Sequence, residues 1–132
     1  ILPGWGGTQR LPRLVGPRKA AEIVMACQPV SGKEAEAIGL ITKAVPKDQL
    51  DAEVQRLVAT LKSKPPTVLG LAKMALKVAM ETNLKDGLRY EAEAEALCTA
   101  TEQRVEARKA RMEGRPPAFP KERRLVPGDD WK

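Results

Sequence analysis

Residues 1–16, ILPGWGGTQRLPRLVG, hold four of the ten glycines of the chain and then continue into alternating Leu and Arg. Pro3 is followed by three glycines in the next four positions, which predicts a tight turn because glycine adopts backbone conformations that other residues avoid. Thr8 is predicted to cap the helix that follows, and Gly16 with Pro17 to end it. The stretch therefore predicts a turn of unusual backbone freedom that leads into a short helix.

The rest of the 132-residue chain predicts a mainly α fold with at most one short strand. Ala and Leu are strong helix formers, and aromatic residues make up only 3 %, so an aliphatic core is expected. Ser31 and Glu34 form a predicted capping box, and Leu40–Val45, ended by Pro46, is the one predicted strand. The predicted helices cover about residues 18–27, 31–39, 48–64, 67–82 and 86–113.

Changes in composition along the chain predict three parts. Residues 1–45 mix turn, helix and strand, whereas residues 46–114 are predicted to be helical throughout. Residues 115–132 are rich in proline and charge and are predicted to form an extended tail. A chain of this length is sufficient for one hydrophobic core.

The composition also restricts the class of function. The formal charge of +6 permits contact with phosphate groups, but the scarcity of aromatic residues disfavours stacking on single-stranded nucleic acid. The chain has no histidine, so it lacks the commonest general base and metal ligand, and no metal site is predicted. No apolar run approaches the length of a membrane-spanning helix, so no membrane association is predicted.

The two cysteines, Cys27 and Cys98, lie far apart among helix-forming residues. Neither belongs to a CxxC pattern, so both are predicted to be buried free thiols. Because unpaired thiols suit a reducing compartment, a cytoplasmic location is predicted.

Several motifs together resemble one family. Residues 3–16, PGWGGTQRLPRLVG, resemble the PGxGGTQRLxRxxG stretch of the crotonase superfamily, the enoyl-CoA hydratase/isomerase enzymes. Residues 31–46, SGKEAEAIGLITKAVP, are similar to its (S/T)AxEAxxxGLVxxVVP segment, and residues 101–106 to its TxDxxEG motif. The resemblance covers residues 1–119. It implies the C-terminal part of the crotonase α/β spiral fold, with the helical module that assembles subunits into trimers or hexamers.

The resemblance also implies an activity and its residues. Hydratases of the family bind an acyl-CoA thioester in an oxyanion hole, and two glutamates add water to a 2-enoyl-CoA. In family order these groups precede residue 1, so the chain alone is expected to be inactive. One group that would remain is the backbone N–H of Gly4, which in hydratases helps to hold the attacking water. Trp5 occupies the variable position of the motif, where its side chain is expected to line the acyl pocket.

A second expected contact, with the phosphates of coenzyme A, involves the end of the last predicted helix. In hydratases this helix often ends in an (A)FxEK(R) pattern, whose aromatic and lysine side chains contact coenzyme A. Here Arg111 stands at the Phe position and Gly114 at the Lys position. Arg111 or Arg115 is therefore a candidate partner for a CoA phosphate, and the alternative is that each is an exposed arginine at a helix end.

Several functions stay open at this point. The preferred function is that of a 2-enoyl-CoA hydratase, with the CoA thioester as substrate carrier and no covalently bound cofactor, and enoyl-CoA isomerase is the alternative within the family. A helical self-association module without chemistry is an alternative of another class, and a basic nucleic-acid module is the least favoured. Self-association is expected to bury four leucines, namely Leu57, Leu61, Leu69 and Leu76.

Overall fold

The structure is a computed structural model, and it describes residues 1–120. In this range the chain forms seven α-helices, one 3₁₀ turn and no strand, which confirms the mainly α prediction. The helices are α1 (Gly7–Val15), α2 (Pro17–Ala26), α3 (Gly32–Ala37), α4 (Leu50–Lys62), α5 (Pro66–Ala79), α6 (Leu84–Thr99) and α7 (Glu102–Glu113), and the 3₁₀ turn is Lys47–Gln49. The part of the predicted tail beyond residue 120 lies outside the described residues.

The chain divides into two compact units, Ile1–Gln55 and Arg56–Lys132. This division falls inside α4, whereas the sequence places a break at Pro46. The three-part organisation proposed from the composition stays a prediction.

In the first unit, the backbone rather than a side chain begins α1. Gly6 occupies the N-cap position with a φ of 89°, and no side chain caps the helix, so the prediction that Thr8 is the cap is wrong. The reason is that the left-handed turn at Gly6 starts the helix two residues earlier, and the Gly6 carbonyl accepts hydrogen bonds from both Gln9 and Arg10. Gly16 ends α1, as predicted, and Pro17 is the first residue of α2, one residue before the predicted start of that helix.

The segment after α3, Leu40–Val45, is not a strand, so this prediction is wrong. The Ala35 carbonyl accepts the N–H groups of both Leu40, at 2.8 Å, and Ile41, at 3.2 Å. The Ala44 N–H donates to Glu36 Oε2 at 2.9 Å. Because α3 already satisfies these backbone groups, the segment wraps around the end of that helix. The predicted cap at Ser31 is confirmed, since its Oγ accepts from the Glu34 N–H at 3.2 Å.

In the second unit, α4 and α5 are separated near the break that the sequence predicts between residues 64 and 67. The Pro65-Pro66 pair separates α4 from α5, and Pro66 is the first residue of α5. Asn83 caps α6, because its Oδ1 accepts from the Asp86 N–H at 3.1 Å.

The long helix predicted over residues 86–113 is two helices. Thr101 interrupts it with extended backbone angles, φ −115° and ψ 148°, and its Oγ1 donates to the Cys98 carbonyl at 2.8 Å. A threonine hydroxyl that bonds the preceding turn competes with the helical ladder. The Thr101 side chain is also buried, so burial holds the break in place.

The described part of the chain has a small core made of alanine. The buried apolar residues are Ala20, Ala35, Ala94 and Ala110, while many large aliphatic side chains of α4–α7 are exposed. Cys27 is exposed at the left-handed C-cap of α2 and Cys98 is half-buried, so the prediction that both thiols are buried is wrong for Cys27. None of the helices among residues 1–120 has the length and apolar character needed to cross a membrane.

Candidate functional site

The glycine-rich turn before α1 presents several backbone N–H groups without an acceptor among residues 1–120, and Gly4 carries one of them. The Gly7 N–H donates to the Gly4 carbonyl at 3.1 Å, which closes the turn. Trp5 and Gly6 both have positive φ values, 48° and 89°. The Gly4 N–H has no acceptor among residues 1–120, so it is available to an outside group. Space around Gly4 is also open, because a Cβ built there meets nothing within 4 Å.

Trp5 extends from the same turn. Its side chain is 100 % exposed, and the residues before it, Ile1 and Leu2, are exposed as well. Three large apolar side chains within the first five residues are thus exposed in the described part of the chain. The structure thus places Trp5 beside the free N–H of Gly4, and its predicted role in an acyl pocket stays a prediction.

Arg115 and Arg111 lie near the end of α7 in different surroundings. The guanidinium of Arg115 makes a two-pronged ion pair with Glu106, at 2.7 and 3.0 Å, and its Nε donates to Glu113 at 2.6 Å. Arg111 is exposed in the last turn of α7 and makes no ion pair with any residue of the described range. Both arginines were proposed to contact a CoA phosphate. They differ because Arg115 is already paired with two carboxylates and Arg111 with none among the described residues.

The pair between Glu106 and Arg115 fixes the segment that follows α7. The Ala118 N–H also donates to Glu106 Oε1, at 2.8 Å. The hydrogen bonds from Arg115 and then from Ala118 lower the pKa of Glu106 from 4.5 to about 2. The carboxylates of Glu106 and Glu113 raise the pKa of Arg115 above its usual range. Both groups are thus charged at neutral pH, and the pair acts as a clamp between α7 and residues 115–118.

Gln103 is a structural residue that the sequence analysis did not single out. Its side chain is only 2 % exposed. Its Oε1 accepts the Thr67 N–H at the start of α5, and its Nε2 donates to the Pro120 carbonyl, each at 3.2 Å. The Gln103 amide thus pairs with the Thr67 N–H, which has no partner within its own helix, and with the Pro120 carbonyl, 17 residues after Gln103. Its signal in the sequence is its place inside the motif at residues 101–106.

Comparison with known proteins identifies the class to which this fold and turn belong. A profile of the enoyl-CoA hydratase/isomerase family matches residues 1–122. The chain belongs to the enoyl-CoA hydratase/isomerase family, and the resemblance to the crotonase superfamily is confirmed. Among the described residues, no group of three or more His, Cys, Asp or Glu side chains is arranged to hold a metal.

Particular relatives are hydratases. The chain is 38 % identical over 119 residues to the crotonyl-CoA hydratase of Syntrophomonas wolfei, which covers 90 % of this chain and 46 % of that protein. It is 36 % identical over 106 residues to a short-chain-enoyl-CoA hydratase of Clostridioides difficile, covering 80 % and 68 %. The crystal structure of enoyl-CoA hydratase from Bacillus anthracis superposes with a TM-score of 0.87 at 34 % identity, over 92 % of this chain and 47 % of that one.

The extent of these matches bears on the fold. The chain spans about half the length of the Syntrophomonas and Bacillus relatives. The TM-score indicates that this chain has the fold of part of a solved enoyl-CoA hydratase.

Proposed function

We propose that this chain supplies the water-holding turn and the helical module of an enzyme that adds water to 2-enoyl-CoA thioesters. The observation that carries the proposal is the free backbone N–H of Gly4, in a turn that matches the family motif. The names of the relatives, which are hydratases, support the reaction class. The predicted cytoplasmic location and the predicted trimer or hexamer stay predictions.

A peptide N–H at Gly4 suits this role for two physical reasons. It is a fixed donor that does not titrate, so it holds a water oxygen at any pH at which the protein is folded. The absence of a Cβ lets a substrate approach the backbone closely. The carboxylates that would activate the water and the oxyanion hole that would hold the thioester oxygen are, by family order, outside this chain.

Isomerase chemistry is the alternative within the family. Both reactions need an enolate held in an oxyanion hole, but an isomerase moves a proton and adds no water. The hydratase is the better-supported proposal because the free N–H of Gly4 suits a bound water and because the named relatives are hydratases.

Arg111 is the better of the two candidates for a CoA phosphate partner. Arg115 already pairs with two carboxylates, and recruiting it would leave Glu106 and Glu113 without their cation. The Arg111 side chain is exposed and unpaired among the described residues, so a phosphate would gain a full charge partner there.

The proposed function is tested by hydration of crotonyl-CoA, followed as the loss of enoyl absorbance. The 132-residue chain alone is expected to show no turnover above the protein-free rate. A chimera, in which this chain replaces the matching half of the Syntrophomonas wolfei crotonyl-CoA hydratase, is expected to turn over the substrate. Turnover by the isolated chain at the rate of the intact relative would contradict the proposal, and so would a folded chimera that isomerises enoyl-CoA without hydrating it.

Self-association is a second candidate function, and the exposed leucines of the helical module favour it. Leu57 and Leu76 are 48 % and 71 % exposed, on α4 and α5. Monomeric proteins rarely leave so many large aliphatic side chains in water. The proposal is that these helices pack against those of other copies.

Sedimentation of the chain at tens of micromolar tests this association. We expect the trimer that the family resemblance implies. Association is favoured because it buries the leucines and removes apolar surface from water. The Leu57→Glu/Leu76→Glu variant is expected to sediment as a monomer, since each glutamate would place a charge inside the interface. Leu14→Glu, an equally exposed leucine on α1, is the matched control and is expected to leave the trimer intact. A compact monomer of the unmodified chain would rule the association out.

A further inference from the structure

A groove in the second unit has a composition that the proposed functions do not explain. It has a volume of about 650 Å³ and lies among the end of α4, the start of α5 and the segment after α7. This volume falls within the range of roughly 300–1,000 Å³ that small-molecule sites occupy. The lining residues are Leu61, Lys62, Ser63, Lys64, Pro66, Leu69, Pro116, Pro117 and Phe119.

One wall of the groove is held in place by the contacts of Glu106 and Gln103. Glu106 binds Arg115 and the Ala118 N–H, which fixes the chain on either side of Pro116 and Pro117. Gln103 ties the Pro120 carbonyl to the Thr67 N–H of α5, next to Pro66. The groove therefore exists before any ligand binds, which lowers the entropy lost on binding.

The charge at the groove is concentrated in two lysines. Lys62 and Lys64 line it, and neither ammonium forms an ion pair with any residue in the range 1–120. The other lining side chains are apolar apart from Ser63, whose hydroxyl donates to the Thr60 carbonyl at 2.7 Å. Among the residues that the structure describes, the lining of the groove thus combines aliphatic, proline and phenyl surfaces with two unpaired positive charges and contains no carboxylate.

We propose that this groove binds a linear aliphatic monocarboxylate, with the hydrocarbon chain against Leu61, Leu69 and Phe119 and the carboxylate on Lys62 and Lys64. An apolar body transfers favourably from water to such walls. An anionic head group satisfies the lysines, whereas an uncharged or cationic head group would leave them unpaired. The combination selects an amphiphile with a single negative end.

The test is isothermal titration of the complete chain with sodium dodecanoate, below the concentration at which it forms micelles. Saturable binding of one dodecanoate per chain is expected. Lys62→Ala/Lys64→Ala is expected to weaken binding about fivefold, the size of two exposed charge contacts. Leu69→Glu is expected to abolish binding, because it places a negative charge on the groove floor.

Matched controls separate the groove from the general positive charge of the chain. Lys73→Ala/Lys77→Ala removes two exposed lysines of α5 that do not line the groove, and unchanged affinity is expected. Dodecanol has the same hydrocarbon chain without the charge, and we expect it to bind more weakly than dodecanoate and equally to the unmodified chain and to Lys62→Ala/Lys64→Ala. Circular dichroism establishes that each variant keeps its helical content.

Three results would overturn the proposal. One is the absence of saturable dodecanoate binding, and the second is binding that is equally weakened by the two lysine pairs. The proposed self-association would also cover Leu61 and Leu69, so dodecanoate is expected to dissociate any trimer that buries them. The third overturning result is therefore a self-association that Leu69→Glu disrupts and dodecanoate does not affect. That result would assign the groove to a second copy of the chain.

Discussion

Gly4→Pro is expected to lower the kcat for crotonyl-CoA hydration by the chimera about 100-fold or more. Proline lacks the backbone N–H, and removing one preorganised donor from a comparable catalytic site lowers kcat by about 10²–10³. Gly4 N–H has no acceptor among residues 1–120, so its loss breaks no hydrogen bond that holds the described fold. KM is expected to change little, since the N–H contacts the water and not the thioester.

Gly4→Ala is the matched control for this experiment. Alanine keeps the N–H, and the Cβ that it adds meets nothing within 4 Å. The backbone of Gly4, unlike that of Gly6, does not lie in the positive-φ region that disfavours a side chain. Activity of Gly4→Ala close to that of the unmodified chimera, with loss in Gly4→Pro, would isolate the N–H as the cause. Equal losses in the two variants, or no loss in Gly4→Pro, would contradict the role of this donor.

The sequence predicted helix boundaries well where a residue has a strong local preference. Ser31 caps its helix as predicted, and the Gly16-Pro17 and Pro65-Pro66 pairs separate helices. These signals depend on backbone geometry within a few residues, so a single sequence contains them.

The predictions that proved wrong depend on contacts that local preference does not describe. Leu40–Val45 has the β-branched and aliphatic composition of a strand, but no neighbouring strand exists within the described range for it to pair with. The Ala35 carbonyl and the Glu36 carboxylate satisfy its backbone instead. Thr101 was predicted to lie inside a helix, but its hydroxyl bonds the Cys98 carbonyl and the residue is buried where the helix breaks.

The candidate site was only partly predictable, for a similar reason. The motif identified Gly4 and Trp5, and the structure adds that the Gly4 N–H is unpaired and the Trp5 side chain exposed. The positive charge of Arg115 is compensated by Glu106, nine residues earlier, and by Glu113. From spacing alone, Arg111 and Arg115 were equivalent. The geometry distinguishes them, because of the two only Arg115 forms ion pairs among the described residues.

Gln103 offers the clearest test of what holds the second unit together. Gln103→Met is expected to lower the free energy of unfolding by about 2 kcal/mol, because it leaves the Thr67 N–H and the Pro120 carbonyl without partners. Methionine has a similar length, so most of the packing is retained and the loss measures the two hydrogen bonds. Gln103→Ala is expected to lose more, since it also leaves a cavity at a side chain that is 2 % exposed.

Urea unfolding of the 132-residue chain, followed by circular dichroism, measures these changes. Gln55→Ala is the matched control, because Gln55 is an exposed glutamine inside α4, and its effect is expected to stay within about 0.5 kcal/mol. The predicted order of stability is therefore Gln55→Ala, then Gln103→Met, then Gln103→Ala. If Gln103→Met were as stable as Gln55→Ala, the bridge from α7 to α5 and Pro120 would contribute nothing. The wall of the groove that Lys62 and Lys64 line would then be held by the Glu106–Arg115 clamp alone.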